Sequence, residues 1–200
     1  KSKLEEDAIR SIRVAKKIIL DNIPKEEIIA IYVKGTFVRR ELNKHSDVDT
    51  VTILRTSKYI KRLKSLSKKY KHEFKPPFQL GAYSLSELKT GKKLKDSSQT
   101  HPGRFVKHLK HNKIIYGEAL SSDGLFTRSH EKDLLGLAKA LRKIFIPQYE
   151  KGDVGFSSIN KQVFWIVENE KRVAGREPVH NWKKLARSVK LRGHPVHEAL

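Results

Sequence analysis

The chain has 200 residues, and its 43 Lys and Arg residues against 22 Asp and Glu residues give a net charge of +21. Hydrophobic residues make up 38% of the chain, which is enough for a packed core and excludes the composition of disordered proteins. Cysteine is absent, which excludes disulfides, cysteine-type zinc sites and thiol catalysis. The positive charge favours a polyanionic partner and disfavours a polycationic small-molecule substrate, which needs an acidic pocket.

Basic residues concentrate in two stretches, over 55–75 and over 89–113. Such stretches are typical of a surface that binds nucleic acid or nucleotide phosphates. They are equally typical of a lysine-rich face that is simply solvated, and charge alone does not decide between the two interpretations.

Helical and β-rich patterns alternate through the first part of the chain, and apolar periodicity separates them. The predicted elements, in chain order, are a helix over 4–21, strands over 28–33 and 48–54, a helix over 59–70, a strand over 78–84, a short helix over 86–89, a helix over 102–111 and a strand over 114–117. This order predicts a small mixed sheet covered by helices, an α/β (α+β) domain.

Beyond about residue 118 the pattern becomes entirely helical, after a linker-like cluster at Ser121–Gly124. Helices are predicted over 134–146, where Pro147 ends the first of them, and over 158–174 and 179–189. We therefore predict an α/β domain over 1–120 and an α-helical domain over 121–200.

No apolar run approaches the roughly 20 residues that a membrane-spanning helix needs. The first helix begins with acids rather than with a basic segment followed by a continuous apolar run, so we expect no signal peptide. From these two observations we expect a cytoplasmic protein with no membrane partner.

The most informative stretch joins the first two strands. Gly35-Thr36 follows the first strand, where glycine permits close approach of the backbone to a ligand and a helix starting at Thr36 would present free N–H groups to phosphates. Asp47 and Asp49 lie two residues apart at the start of the next strand, so period-two alternation places both carboxylates on one face. Two such carboxylates are typical ligands of Mg²⁺, and two ions can hold the attacking and leaving oxygens of an in-line displacement.

This stretch resembles the signature of the nucleotidyltransferase superfamily, which includes DNA polymerase β-like, minimal and aminoglycoside-type members. The residues that match its pattern are Gly35, Thr36, Arg39, Ser46, Asp47 and Asp49. The resemblance implies that Asp47 and Asp49 are catalytic and bind two Mg²⁺ ions, and that the other four residues bind a nucleoside triphosphate. A weaker similarity extends over Phe105–Gly117 and to the helical part that follows.

Two positions depart from the family pattern. Many members have glycine where Arg40 stands, and the third carboxylate of the family falls by strand order at Gln79. Glutamine cannot act as a base and is a poor Mg²⁺ ligand. Glu73 is the nearest acid that precedes this strand, and we interpret it either as the third catalytic acid or as a surface acid among lysines.

The resemblance implies an enzyme that transfers a nucleoside monophosphate from a nucleoside triphosphate, its substrate, to a hydroxyl on a nucleic acid, a protein or a small molecule. Gln79 favours an alternative, a catalytically weak or inactive module that acts as an antitoxin-type or RNA-binding regulator. A third hypothesis is a basic nucleic-acid binder in which Asp47 and Asp49 have structural roles.

Overall fold

The computed structural model describes residues 2–44, 46–70, 73–179, 181–190 and 192–197. The chain divides into two compact units, Lys1–Thr127 and Arg128–Leu200. The first unit extends past the predicted boundary at residue 120 because Leu120 and Leu125 pack against its core. The Phe126 N–H also donates a hydrogen bond to the Leu88 carbonyl at 2.8 Å.

The first unit contains four strands, as predicted, with helices between them. Its elements are α1 (Lys3–Asn22), β1 (Ile28–Lys34), α2 (Thr36–Arg39), β2 (Val48–Leu54), α3 (Ile60–Tyr70), β3 (Phe78–Ser84), α4 (Leu85–Thr90), α5 (Pro102–Lys107) and β4 (Lys113–Gly117). The helix opened by Pro102 was predicted to reach His111, which is wrong: it ends at Lys107, and a 3₁₀ turn follows over Leu109–His111.

The four strands form one mixed sheet in the order β3-β2-β1-β4. β1 pairs antiparallel with β2 and β4, whereas β2 and β3 are parallel and are connected through α3. Alternating residues of β1 enter two different apolar clusters, since Ile31 and Val33 pack with α1 and α3 while Ala30 and Tyr32 pack with α4 and α5. The sheet is therefore covered on both faces, and only its ends are left for a functional site.

The second unit is helical, as predicted, with α6 (His130–Ala140), α7 (Ile146–Glu150), α8 (Phe156–Val173) and α9 (Trp182–Arg187). Pro147 does not end the first helix there. A π-helical turn over Leu141–Phe145 leads directly into α7, and Pro147 occupies one of the first positions of that segment. Proline is tolerated at such positions because its missing N–H is not needed there.

The core of the second unit is small and aromatic. Phe164 of α8 stacks on Trp182 of α9 with ring centroids 4.7 Å apart, and Leu185 is fully buried beside them. In the residues that the structure describes, none of the helices combines the length and the apolar character needed to cross a membrane.

A basic loop over 91–101 lies along β3 and is held there by one buried carboxylate. Glu87, which is 2% exposed, accepts hydrogen bonds from Ser84 N–H, Ser84 Oγ, Leu94 N–H and Ser97 Oγ. The next residue, Ser98, donates its N–H to the Ala82 carbonyl of β3 at 3.0 Å. The side chain of Glu87 therefore caps α4 and fixes the loop against the sheet edge at the same time.

Replacing Glu87 by Ala is expected to lower the free energy of unfolding by about 2–4 kcal/mol, because four donors lose a charged acceptor in a buried position. Urea unfolding followed by circular dichroism measures this change. Glu118→Ala is the matched control, since Glu118 is exposed and its replacement is expected to change stability by less than about 0.5 kcal/mol. Equal stability of the two variants would show that the Glu87 hydrogen bonds do not hold the loop.

Candidate functional site

The end of β1 and the start of β2 meet at one end of the sheet, where Lys34 pairs with Asp49. Gly35 follows with a φ of +80°, in the left-handed region that favours glycine. A Cβ atom built on Gly35 would lie 3.0 Å from Asp49 Oδ2. The backbone at Gly35 is therefore packed directly against the Asp49 carboxylate.

The helix that the sequence predicts at Thr36 exists, but it is a single turn. α2 ends at Arg39, and Arg40 then adopts a left-handed conformation with a φ of +57°. This is the position at which many superfamily members have glycine, and an L-residue is disfavoured there by roughly 1–2 kcal/mol. The Glu41 N–H closes the turn on the Thr36 carbonyl at 2.9 Å. The turn holds Thr36 and Arg39 beside Gly35.

The two aspartates each contact a donor of this chain. Gln79 lies opposite Asp49 in the parallel pair of β2 and β3, which is the position that strand order predicts for the third carboxylate. Its Nε2 donates a hydrogen bond of 2.7 Å to Asp47 Oδ2. Lys34 Nζ lies 3.5 Å from Asp49 Oδ2, and both side chains are a little over a quarter exposed. Asp47, Asp49, Gln79 and Lys34 therefore form one polar group.

Lys34 was not identified from the sequence, although a signal for it exists. It is the last residue of β1, and antiparallel pairing places it opposite Asp49 as soon as the two strands are aligned. Its ammonium group neutralises part of the charge of the aspartate pair. The group formed by Asp47, Asp49 and Lys34 carries a formal charge of about −1, whereas three carboxylates would carry −3.

Three other predicted site residues have partners or positions that bear on their roles. Arg39 Nε donates to Glu41 Oε2 at 2.7 Å, so Arg39 is held close to the backbone turn by an ion pair. Ser46 is buried, and its Oγ accepts a hydrogen bond from Asn43 N–H at 3.0 Å. Glu73 is exposed in the turn after α3, where its N–H donates to the Tyr70 carbonyl.

Within the described residues, no three His, Cys, Asp or Glu side chains gather into a group that could hold a metal ion. The structure therefore does not bring Glu73 into a group with Asp47 and Asp49. Two carboxylates and the phosphates of a substrate are a suitable ligand set for one Mg²⁺, which keeps several waters and binds through one or two protein carboxylates. Among the residues that the structure describes, no third acid joins Asp47 and Asp49 in such a group, so a second ion would have only these two carboxylates.

No protein-family model and no curated protein matches this sequence. Among solved structures, the chain is similar to the spectinomycin adenyltransferase AAD(9) of Enterococcus faecialis, whose structure was determined with ATP and spectinomycin. The similarity covers 96% of this chain and 88% of that one, with a TM-score of 0.60 and 14% sequence identity. At this identity the similarity shows that the two chains share a fold.

Proposed function

We propose that this protein transfers a nucleoside monophosphate from a nucleoside triphosphate to an acceptor hydroxyl. The observation that supports this most directly is the packing of the Gly35 backbone against Asp49, with Asp47 in the same polar group. The fold is shared with an enzyme crystallised with ATP. In the proposed reaction the acceptor oxygen attacks the α-phosphorus, the bond to the bridging oxygen breaks, pyrophosphate leaves, and the proton of the acceptor hydroxyl passes to solvent water.

Each residue of the site has a proposed part in this reaction. The backbone at Gly35 and Thr36 contacts the β- and γ-phosphates, and Ser46 fixes the turn that leads to Asp47. Lys34 and Arg39 supply positive charge beside the phosphates, where charge stabilisation and positioning account for most of the acceleration of phosphoryl transfer. Asp47 and Asp49 would hold Mg²⁺, which would neutralise part of the negative charge of the triphosphate. Gln79 cannot accept the acceptor's proton, because an amide is not basic at neutral pH.

The test is ATP binding and pyrophosphate release by the full chain, with and without Mg²⁺. Hydroxyl acceptors of three kinds are added separately: single-stranded RNA, a protein extract and spectinomycin. Mg²⁺-dependent binding with acceptor-dependent release of pyrophosphate supports the proposal. Failure to bind any nucleoside triphosphate would exclude it.

Replacing Gly35 by Ala is expected to weaken ATP binding by about 10-fold or more, because the new Cβ displaces the Asp49 carboxylate or the turn beside it. Gly124→Ala is the matched control. Gly124 also has a positive φ, of +68°, but no atom lies within 4 Å of a Cβ built on it, so its replacement tests the cost of a positive φ without a close contact. Isothermal titration with ATP should separate them, and equal ATP affinity would show that residue 35 does not contact the nucleotide.

A second candidate function is a nucleotide-binding regulator with little or no turnover. The hydrogen bond from Gln79 to Asp47 favours it, since this position carries a neutral donor in place of a third acid. Mg²⁺-dependent ATP binding without pyrophosphate release, for every acceptor, is the result that supports this candidate over the first.

A further inference from the structure

The outer face of α3 carries basic residues without acids among them. We define the α3 stripe as the exposed side chains of this helix and of the turn before it that carry positive charge: Lys58, Lys61, Arg62, Lys68 and Lys69. The contacts of Arg62 are to neutral oxygens of Asn22, and Lys58 and Lys69 lie over tyrosine rings. In the described part of the chain, no carboxylate forms an ion pair with the stripe, although Lys64 of the same helix pairs with Asp96 at 2.9 Å and Asp96 also interacts electrostatically with Lys61.

The surface of α1 shows that this pattern is not a general property of the chain. There, two exposed cations have acids about one helical turn away and form the ion pairs Arg10–Asp7 and Lys17–Asp21, whereas exposed Arg13 has no acid three or four residues away. The first turn of α3 contains no acid and holds Lys61 and Arg62. Cations at a helix N-terminus oppose the helix dipole, and like charges one turn apart repel. Lys68 and Lys69 lie in the last turn, where cations complement the dipole, so local helix stability accounts for these two residues but not for Lys61 and Arg62.

The direction of α3 brings one end of the stripe to the candidate site. α3 leaves the far end of β2 and returns to the start of β3, the end of the sheet that holds Asp49 and Gln79. The last turn of α3 is fixed there, because Ser67 Oγ accepts a hydrogen bond of 2.9 Å from Leu80 N–H. Lys68 and Lys69 follow Ser67 directly, so they lie at the site end.

We infer that the α3 stripe binds the phosphate backbone of a single-stranded nucleic acid and directs its terminal hydroxyl to the polar group of Asp47 and Asp49. The inference rests on the proposed function and names its acceptor. α3 rises about 14 Å from residue 60 to residue 69, and the stripe presents five positive charges along this helix and the turn before it.

The test is fluorescence anisotropy with a labelled 20-nucleotide RNA and its DNA equivalent, titrated at several salt concentrations without ATP or Mg²⁺. The stripe variant is Lys61→Gln/Arg62→Gln/Lys68→Gln/Lys69→Gln. Each lost phosphate contact is expected to reduce the slope of log K against log salt by about 0.7, so four contacts reduce it by about 3. At 0.1 M salt this corresponds to an affinity loss of about 100-fold or more.

The matched control removes the same number and kind of charges from exposed positions of the second unit. It is Lys139→Gln/Arg142→Gln/Lys143→Gln/Lys151→Gln. The control is expected to bind RNA like the wild type, and circular dichroism verifies that both variants are folded. An equal loss in the two variants, or displacement of RNA by polyglutamate at equal charge, would overturn the assignment of the stripe to nucleic acid.

Failure of this inference and failure of the proposed function give different experimental results. Asp49→Asn is expected to keep the RNA affinity of the wild type, since Asp49 lies outside the stripe. The inference is overturned if RNA does not stimulate ATP turnover by the wild type and the stripe variant binds RNA as the wild type does. Nucleotidyl transfer to a different acceptor would then still stand. Loss of RNA binding in the stripe variant, in a protein that binds no ATP, supports the stripe and excludes the proposed activity.

Discussion

Replacing Asp49 by Asn is expected to reduce Mg²⁺-dependent ATP affinity and pyrophosphate release by about 100-fold or more. The substitution keeps the shape of the side chain and removes one of two carboxylates at the candidate site. Asp49 supplies half of the protein carboxylates available to a cation that would neutralise the triphosphate, since no further acid joins the pair in the described residues. Losing a single preorganised electrostatic group in an active site typically costs 10²–10³-fold in rate.

The stability of the Asp49→Asn variant separates this effect from unfolding. Asp49 forms an ion pair with Lys34 that is partly exposed, and such pairs contribute about 1 kcal/mol or less. The melting temperature is therefore expected to stay close to that of the wild type. Asp21→Asn is the matched control on α1, where the acid contacts only Lys17 among the pairs described. Unchanged ATP binding by Asp49→Asn would favour a structural role for the aspartates in a basic nucleic-acid binder.

Replacing Gln79 by Glu is expected to raise pyrophosphate release by about 100-fold, because it supplies a base and a third carboxylate opposite Asp49. A positioned general base typically contributes 10²–10⁴-fold to the rate of a reaction. The measurement is release of pyrophosphate from ATP with saturating acceptor, at several Mg²⁺ concentrations. A steeper dependence on Mg²⁺ than in the wild type is expected, since the new acid increases the negative charge of the site.

The same substitution has an opposite effect in metal-free buffer. It removes the hydrogen bond from Gln79 Nε2 to Asp47 and adds a like charge, so we expect a loss of about 2 kcal/mol in the free energy of unfolding. Millimolar Mg²⁺ should restore that loss. Gln79→Ala is the control, because it loses the donor without gaining a carboxylate and should gain no more stability from Mg²⁺ than the wild type does. A Glu variant that Mg²⁺ does not stabilise would show that residue 79 does not face the cation.

The sequence predicts the sheet and the position of the site because both depend on short-range patterns. Period-two alternation identifies β2, and the order of the strands places Gln79 opposite Asp49. The contacts of these residues are not predictable in the same way. Whether Gln79 donates to Asp47 or points elsewhere is decided by side-chain rotamers, and the ion pair of Lys34 depends on the alignment of two strands.

The wrong predictions have a common physical origin in helix ends. Proline is expected to end a regular α-helix, so the sequence predicts a helix end at Pro147. The π-helical turn before it changes the pairing of N–H and carbonyl groups, and the chain stays helical past this residue. The helix at Pro102 stops at Lys107, although apolar residues continue at Leu109 as part of the core. Because a buried apolar residue also occurs in the turn after the helix, the apolar periodicity overestimates the length of the helix.

The loop that Glu87 holds along β3 also protects the edge of the sheet from pairing with another copy of the protein. β3 is the outermost strand on its side of the sheet, and an open strand edge is a template for pairing with another chain. Here the Ala82 carbonyl already accepts from Ser98, and the Ser98 side chain fills the space beside Gly81. Release of the loop would expose an apolar strand at high protein concentration. Loss of this one buried acid would then be observed first as self-association through the sheet, before the unit unfolds.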